Sequence, residues 1–355
     1  MIRTYTYCNY PKHLPAMAKG LLLRWITSVP IVLLGLVFVA DLHRLDHLIG
    51  RSDQKRVCCA MSTSSSGSWS NRWGSTLTPI ATGVWAAERP FMWNRIDVGG
   101  RGVVARMEDG SLLVHSPVEW TEQLNASIQA LGGSISHIIS PNYEHVKYAA
   151  QWATEYPQAV VCGCPGLRSK EPSIPIGKEL PADLSDGSSS SAALRLSFDM
   201  VHFDCEVNPF TRRPFFNEVV FYHIASKTLL VADAFWNYPR GASPNYRLEM
   251  EIEGTYGQHL CSKAPLPLQI SSYSPAEAIP AVELPFGTAL WKFGMDRVYK
   301  PFYSRFMVGG GHRREQYRAA VDQLLAWDVE VIAPCHGDVI RGRRTCRKAL
   351  LDFFA

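Results

Sequence analysis

Acidic residues are missing from this chain between Gln54 and Ala87, no long Lys/Arg tract occurs, and cysteine follows no paired spacing. Each absence excludes something. Without a basic tract, and with a net charge of only +4 over 355 residues, nucleic acid is excluded as a partner. Nine cysteines at irregular intervals do not make a disulfide framework. Cys162-x-Cys164 before Pro165 has no matching Cys/His pair at zinc-finger spacing, so it reads as small buried residues at a strand end. No short-period repeat is evident. Apolar residues are plentiful: 46% hydrophobic against 19% charged suits a packed core rather than disorder.

The N-terminal part is unlike the rest, and the chain divides into four. Residues 1–19 form a basic N-terminal segment. Residues 20–41 form an apolar segment in which Gly20–Ala40 carries one charge, Arg24. Its uninterrupted core, Ile31–Ala40, lies between the roughly 20 apolar residues of a membrane span and the roughly 7–15 of a signal-peptide core. Phe38 makes a poor cleavage site after Ala40, and basic residues on both sides leave orientation open. Residues 42–76 read as a Ser-rich linker or transit region, acid-free from Gln54 onward. Two readings follow: a signal anchor with a flexible linker, its partner a membrane met through residues 20–40, or a two-part plastid targeting sequence. Cys58-Cys59 read as linker residues, with palmitoylation as the alternative. Residues 77–355 form the folded domain.

Within that domain, Val103–Met107 and Ser111–His115 flank Glu108-Asp109-Gly110, a hairpin signal. Ser116, Pro117 and Glu119 spell a capping box ahead of Trp120, Leu124, Ile128 and Leu131 at helical spacing, stopped by Gly132-Gly133. Strand, helix and strand follow at Ser136–Ile139, Glu144–Tyr156 and Ala159–Gly163. Ser169–Ala193 reads as loop, Arg195–Cys205 as strand, and Glu218–His223 with Thr228–Ala234 as a second hairpin. Tyr238–Pro285 reads as an excursion across one face. Helix Arg314–Trp327, strand Val329–Ala333 and helix Arg343–Phe354 close the chain. Two β-rich halves, each with helices, predict an α/β fold of the four-layer αββα kind.

Several runs together resemble one family. They are Met107–Pro117, Ser140-Pro141-Asn142 with His145, Phe216–His223, Leu229–Asp233, Trp291–Asp296, Pro301-Phe302-Tyr303 and Pro334-Cys335-His336-Gly337-Asp338. From about Leu77 to Ala355 the chain is similar to domain of unknown function 4336, a family known from photosynthetic organisms. The resemblance implies a metallo-β-lactamase-like sandwich with no assigned reaction, and it favours plastid targeting of the N-terminus. It also implies a degenerate metal site. Where a dinuclear hydrolase of that superfamily carries His-x-His-x-Asp-His, this chain has Ser140-Pro141-Asn142-Tyr143-Glu144-His145. Arg212-Arg213-Pro214-Phe215 stands where a further histidine is expected.

Asp233 and His336 match the superfamily's later ligand positions. With His145 they make a three-donor set, enough for one divalent metal (zinc, iron or manganese) and not two. Glu144, His202 and Asp338 are the candidates for a fourth donor. Cys335 beside His336 raises nucleophilic catalysis, though chain neighbours seldom face one another and an activated thiol needs its base in space. Glu218 reads as an acid/base residue or as a solvated edge charge. Trp291, Phe293, Tyr299, Phe302, Tyr303 and Phe306, interleaved with Lys292, Arg297, Lys300 and Arg305, read first as packing and second as a basic-aromatic surface for a membrane interface or a phosphorylated ligand. The leading expectation is a non-hydrolytic binding or assembly role with an unnamed protein or small-molecule partner. The alternatives are a single-metal hydrolase using His145, Asp233 and His336, and a membrane-interface protein.

Overall fold

The computed structural model describes residues 68–71, 74–239 and 284–354. The expectations for residues 1–41, Cys58-Cys59 and nearly all of the linker and the Tyr238–Pro285 excursion lie outside them. Among the described residues no helix is long and apolar enough to cross a membrane.

Among the described residues fourteen strands form: β1 Thr78–Ala81, β2 Val84–Arg89, β3 Met92–Trp93, β4 Ile96–Asp97, β5 Gly100–Arg106, β6 Leu112–His115 and β7 Ile135–Ser140. Then come β8 Val160–Gly163, β9 Lys178–Glu179, β10 Phe198–Phe203, β11 Glu218–His223, β12 Thr228–Val231, β13 Val331–Pro334 and β14 Ile340–Arg341. One sheet has seven strands in the order β1-β2-β5-β6-β7-β8-β9, the other five in the order β10-β11-β12-β13-β14. β6 to β9 run parallel to one another, as do β12 and β13; the remaining pairs within the two sheets are antiparallel. The longer helices among the described residues are α1 Glu122–Gln129, α2 Ala149–Glu155, α3 Ser189–Ser197, α4 Phe286–Gly294, α5 His312–Ala326 and α6 Arg343–Phe354. α4 continues through π-helical turns at Met295–Tyr299 and Tyr303–Val308.

Alternation along the strands sets the layers. In β11, Val219 and Phe221 join the core shared with the seven-stranded sheet, whereas Val220 and Tyr222 face α5 and α6. Leu230 and Ala333 point inward, and Leu229, Val231 and Ile332 point outward. A period of two permits nothing else once both faces are covered. On the far side, Leu124 and Ile128 of α1 and Ala149 and Trp152 of α2 cover the seven-stranded sheet. Tyr317, Ala320, Val321 and Leu324 of α5 cover the other, with Cys346 and Leu350 of α6. The four-layer αββα sandwich expected from the element order is the fold.

Two local expectations are corrected. α1 starts at Glu122, and Thr121 is its N-cap, its hydroxyl accepting from the Leu124 N–H at 3.2 Å. Ser116 caps nothing; it takes a left-handed φ of 51° at the end of β6. Ser169–Ala193 is not all loop, since α3 begins inside it.

His115 lies between the sheets, fully buried, edge-on to Phe221 with ring centroids 5.4 Å apart. Neither ring nitrogen has a hydrogen-bond partner among the described residues. Burial, and then the nearby His145, push this ring's pKa down to about 3. The unfolded chain therefore binds a proton that the folded chain refuses, so this residue's contribution is present above about pH 6.5 and is lost as pH falls toward 3. His115→Leu is expected to stabilise by about 1 kcal/mol at neutral pH, because it removes orphaned polar atoms. The increment should grow as pH is lowered from about 7 to about 4, read from urea midpoints of variant and parent. An increment that does not change with pH would contradict the neutral buried ring.

Candidate metal centre

Three strand ends converge on one point. β7 delivers the loop Pro141–His145, β12 delivers Ala232-Asp233, and β13 delivers Cys335-His336. Each end is fixed by a buried polar group, because a turn leaving a sheet exposes backbone N–H groups that must be satisfied.

Asn142 fixes the first. Its Oδ1 accepts the N–H of Glu144 at 3.0 Å and of His145 at 2.8 Å, an Asx turn that closes the loop on itself. Its Nδ2 donates to Asp233 Oδ2 at 2.8 Å and to Glu218 Oε2 at 3.1 Å. Glu218 fixes the second. This carboxylate, almost fully buried at the start of β11, accepts the N–H groups of Ala232 at 2.7 Å, Asp233 at 2.7 Å and Ala234 at 2.9 Å. Burial, and then the charge of Asp233, push Glu218 up to about 7, against the pull of those backbone donors. Neither an edge charge nor an exposed acid/base group fits; Glu218 is a buried clamp.

The third end is held from two sides. The Arg101 guanidinium, itself paired with Glu88, donates to the Pro334 carbonyl. Beyond His336, Gly337 takes a φ of 96° where a Cβ would overlap the Asn237 carbonyl. Asn237 in turn donates its N–H to the His336 carbonyl at 3.0 Å and accepts from the Asp338 N–H at 2.7 Å.

The side chains meet around Asp233. His145 Nε2 lies 3.2 Å from Asp233 Oδ2, and His336 Nε2 lies 3.4 Å from Asp233 Oδ1. One donor atom from each of the three residues falls within 4.8 Å of the others. All three side chains are 14% exposed. The outward ring nitrogens are both occupied. His336 Nδ1 donates to the Gly99 carbonyl at 2.7 Å, and His145 Nδ1 shares a hydrogen bond with Ser116 Oγ at 2.5 Å. Holding Nδ1 in this way turns Nε2 of each ring toward the carboxylate, the arrangement that supports a ligating imidazole. Burial alone would raise Asp233, but His145 and His336 hold it well below the usual carboxylate range. Burial opposes charge on His145, yet Asp233 and Cys335 raise it well above its ordinary value.

Of the six candidate donors, the structure brings together His145, Asp233 and His336 only. Glu144 is exposed. His202 sits on β10 with Nε2 on Asn217 Oδ1 at 3.0 Å, and burial lowers its pKa. Asp338 lies past the Gly337 turn, at the edge of a separate cavity with Trp69, Gly99 and Arg101. None of these three joins the cluster. Ser116, Asn142 and the clamp role of Glu218 escaped the sequence reading. A non-glycine residue forced to positive φ at a strand end is a signal of a working position, but only a structure displays it. Cys335 is buried, and its thiol lies beside the His145 ring.

Residues 82–251 match the model of the family described as Domain of unknown function (DUF4336). No curated protein matches the chain. Among solved structures, the chain is similar to a putative diflavin flavoprotein A 5 fragment from Nostoc sp. PCC 7120, at 12% identity and TM-score 0.45, covering 78% of this chain and 94% of that one. It is similar to a metallo-beta-lactamase from Pontibacter korlensis at 10% identity and TM-score 0.42, covering 78% and 97%. A metal-soaked Flv1 flavodiiron core from Synechocystis sp. PCC6803 is similar at 13% identity and TM-score 0.44, covering 78% and 60%.

The Gly337 turn sets the third strand end, so its glycine is testable against another. Gly132 also has positive φ, 70°, but a Cβ there meets nothing within 4 Å. Gly132→Ala is expected to cost about 1 kcal/mol, and Gly337→Ala clearly more because strain and overlap add. Denaturant midpoints of the two variants compare them directly. Equal costs would mean that the Asn237 contact yields without resistance.

Proposed function

We propose that this protein holds one divalent metal ion between His145, Asp233 and His336 and uses the loaded centre in a binding or assembly role. The observation that carries the reading is the donor spacing. Four ligands at about 2.1 Å around a tetrahedral ion stand about 3.4 Å apart. Each histidine nitrogen lies 3.2 or 3.4 Å from a different oxygen of Asp233, and one donor atom from each of the three residues falls within 4.8 Å of the others, close enough to close on one ion. Two imidazoles and a carboxylate suit zinc, iron or manganese. Among the described residues no further donor joins these three: Asn142 spends its amide on Asp233 and Glu218, and Glu144 is exposed.

Space favours binding over turnover of a large substrate. The aromatic cleft beside Asp233, lined by Phe216, Trp236, Tyr299 and Tyr303, has a volume of about 30 Å³. The cavity behind the His336 turn has about 50 Å³. Each admits a water or two, whereas sites for small organic ligands run to about 300–1,000 Å³. One observation favours a second reading, a single-metal hydrolase: three protein donors leave a coordination position open, as catalytic rather than structural sites do. A metal there would supply Lewis acidity. The chain's own residues would orient it: Ser116 and the Gly99 carbonyl fix the two rings, and Asn142 fixes the carboxylate.

Elemental analysis of the full chain, purified without chelators, is expected to return about one equivalent of metal. Asp233→Asn and the pair Asp233→Ala/His336→Ala are expected to lose it. Metal at about one hundred times its dissociation constant should stabilise the parent by about 2.7 kcal/mol and the variants by nothing. No metal and no shift after reconstitution would end the reading. Turnover of small ester, lactam or phosphodiester probes by the loaded parent, absent in Asp233→Asn, would move the conclusion to the hydrolase. Ser116→Ala, which frees the outer nitrogen of His145, is expected to weaken metal affinity by about 10–100-fold, measured by competition with a chromogenic chelator.

A further inference from the structure

The helical run from Phe286 to Val308 has two faces of opposite character. Its inner face is tied down by specific contacts. Thr288 Oγ1 donates to the Asp97 carbonyl at 2.9 Å, Trp291 Nε1 donates to the Tyr238 hydroxyl at 2.8 Å, and Asp296 accepts from Trp236 Nε1 at 3.0 Å. Met295 is buried, and Tyr299 and Tyr303 line the cleft beside Asp233. Its outer face touches none of this. Phe286 is 84% exposed, Phe293 59%, Leu290 44% and Phe306 41%. Arg297, Pro301 and Arg305 are exposed with them. Successive positions 286, 290, 293, 297, 301 and 305 lie about one turn apart, so they form a single stripe.

We propose that this stripe docks on an anionic lipid surface. Large apolar side chains held out of a packed domain by a rigid helix mark an interaction face. The charge is of one sign. From Leu284 to Val308 there are four basic residues and one acid, Asp296; Arg297 and Arg305 are exposed on the stripe, while Lys292 pairs with Asp296 and Lys300 lies over the Phe353 ring. That acid turns inward to Trp236 and pairs with Lys292 at 2.8 Å. Phenylalanine and leucine flanked by arginine is the composition of a helix that lies in the headgroup region, apolar side chains below and guanidinium groups at the phosphates. The chain also carries the apolar run Gly20–Ala40 with its single Arg24, so a second membrane-seeking element stands upstream.

The test uses the full chain with benzoylphenylalanine, a photo-crosslinking phenylalanine, in place of Phe293, mixed with phosphatidylcholine/phosphatidylglycerol vesicles and irradiated. A twin with the same group in place of Phe210, an exposed phenylalanine on a different loop, is the control. Both twins retain the N-terminal run, so the comparison reports the face and not recruitment. Lipid adducts are expected at position 293 and not at 210. Arg297→Glu/Arg305→Glu in the 293 twin should cut their yield by about fivefold per arginine, from about 1 kcal/mol per cation at an anionic surface. Equal lipid yields at the two positions, no lipid adduct at 293, or adducts at 293 to a second copy of the chain would each overturn the proposal.

Discussion

One carboxylate carries the arrangement. Asp233 meets a histidine at each oxygen and an amide besides, and every element near it is placed so that this charge stays ionised while buried. An isolated carboxylate taken out of water would protonate or unfold its surroundings. Here the cost is offset by two rings and one amide. The result is a charge without a hydrated partner, ready for a cation. The same residues explain why the centre is built from three strands and not one loop. Each strand end supplies one donor, and no two donors are close enough in the chain to meet without the sandwich.

The rigidity behind Asp233 comes from a second buried acid. Glu218 crimps three successive N–H groups of the Ala232–Ala234 turn, and Asn142 reaches both acids with one amide group. Two carboxyls and an amide thus lock the β7 and β12 loops together. Arg101 performs the matching task for β13, linking it to Glu88 of the other sheet. These are buried polar contacts across layers, where a lost partner leaves an unsatisfied group costing about 1–3 kcal/mol, more if charged. Single replacements at Asn142, Glu218 or Arg101 therefore disturb geometry before they disturb any chemistry.

Residue patterns reached the layer order because period-two strands and period-3.6 helices with glycine stops announce themselves, as in β5, β6, β11 and α5. His145, Asp233 and His336 came from the resemblance to the superfamily's ligand positions, and the fold brings one donor atom of each within 4.8 Å of the others. What stayed hidden depends on distance in space. Ser116-Pro117-x-Glu119 has the letters of a capping box, but the helix starts five residues later because Ser116 is drawn to His145. Glu218 reads like an edge charge because nothing in its neighbourhood along the chain shows that the Ala232–Ala234 turn folds over it. The Phe286–Val308 run shows no clean helical period, since two π-helical turns lengthen the repeat and Pro301 sits inside it.

Those π-helical turns join the two proposals physically. A π turn widens the helix and shifts which side chains point inward, and here it places Tyr299 and Tyr303 over the cleft while Arg297, Pro301 and Arg305 remain outside. The helix is thus a wall with the metal-competent carboxylate on one side and the apolar, basic stripe on the other. Any force on the outer stripe acts on the tyrosines through a few ångströms of helix. The 30 Å³ cleft beside Asp233 is bounded by them, so its size is set by where this one helix sits.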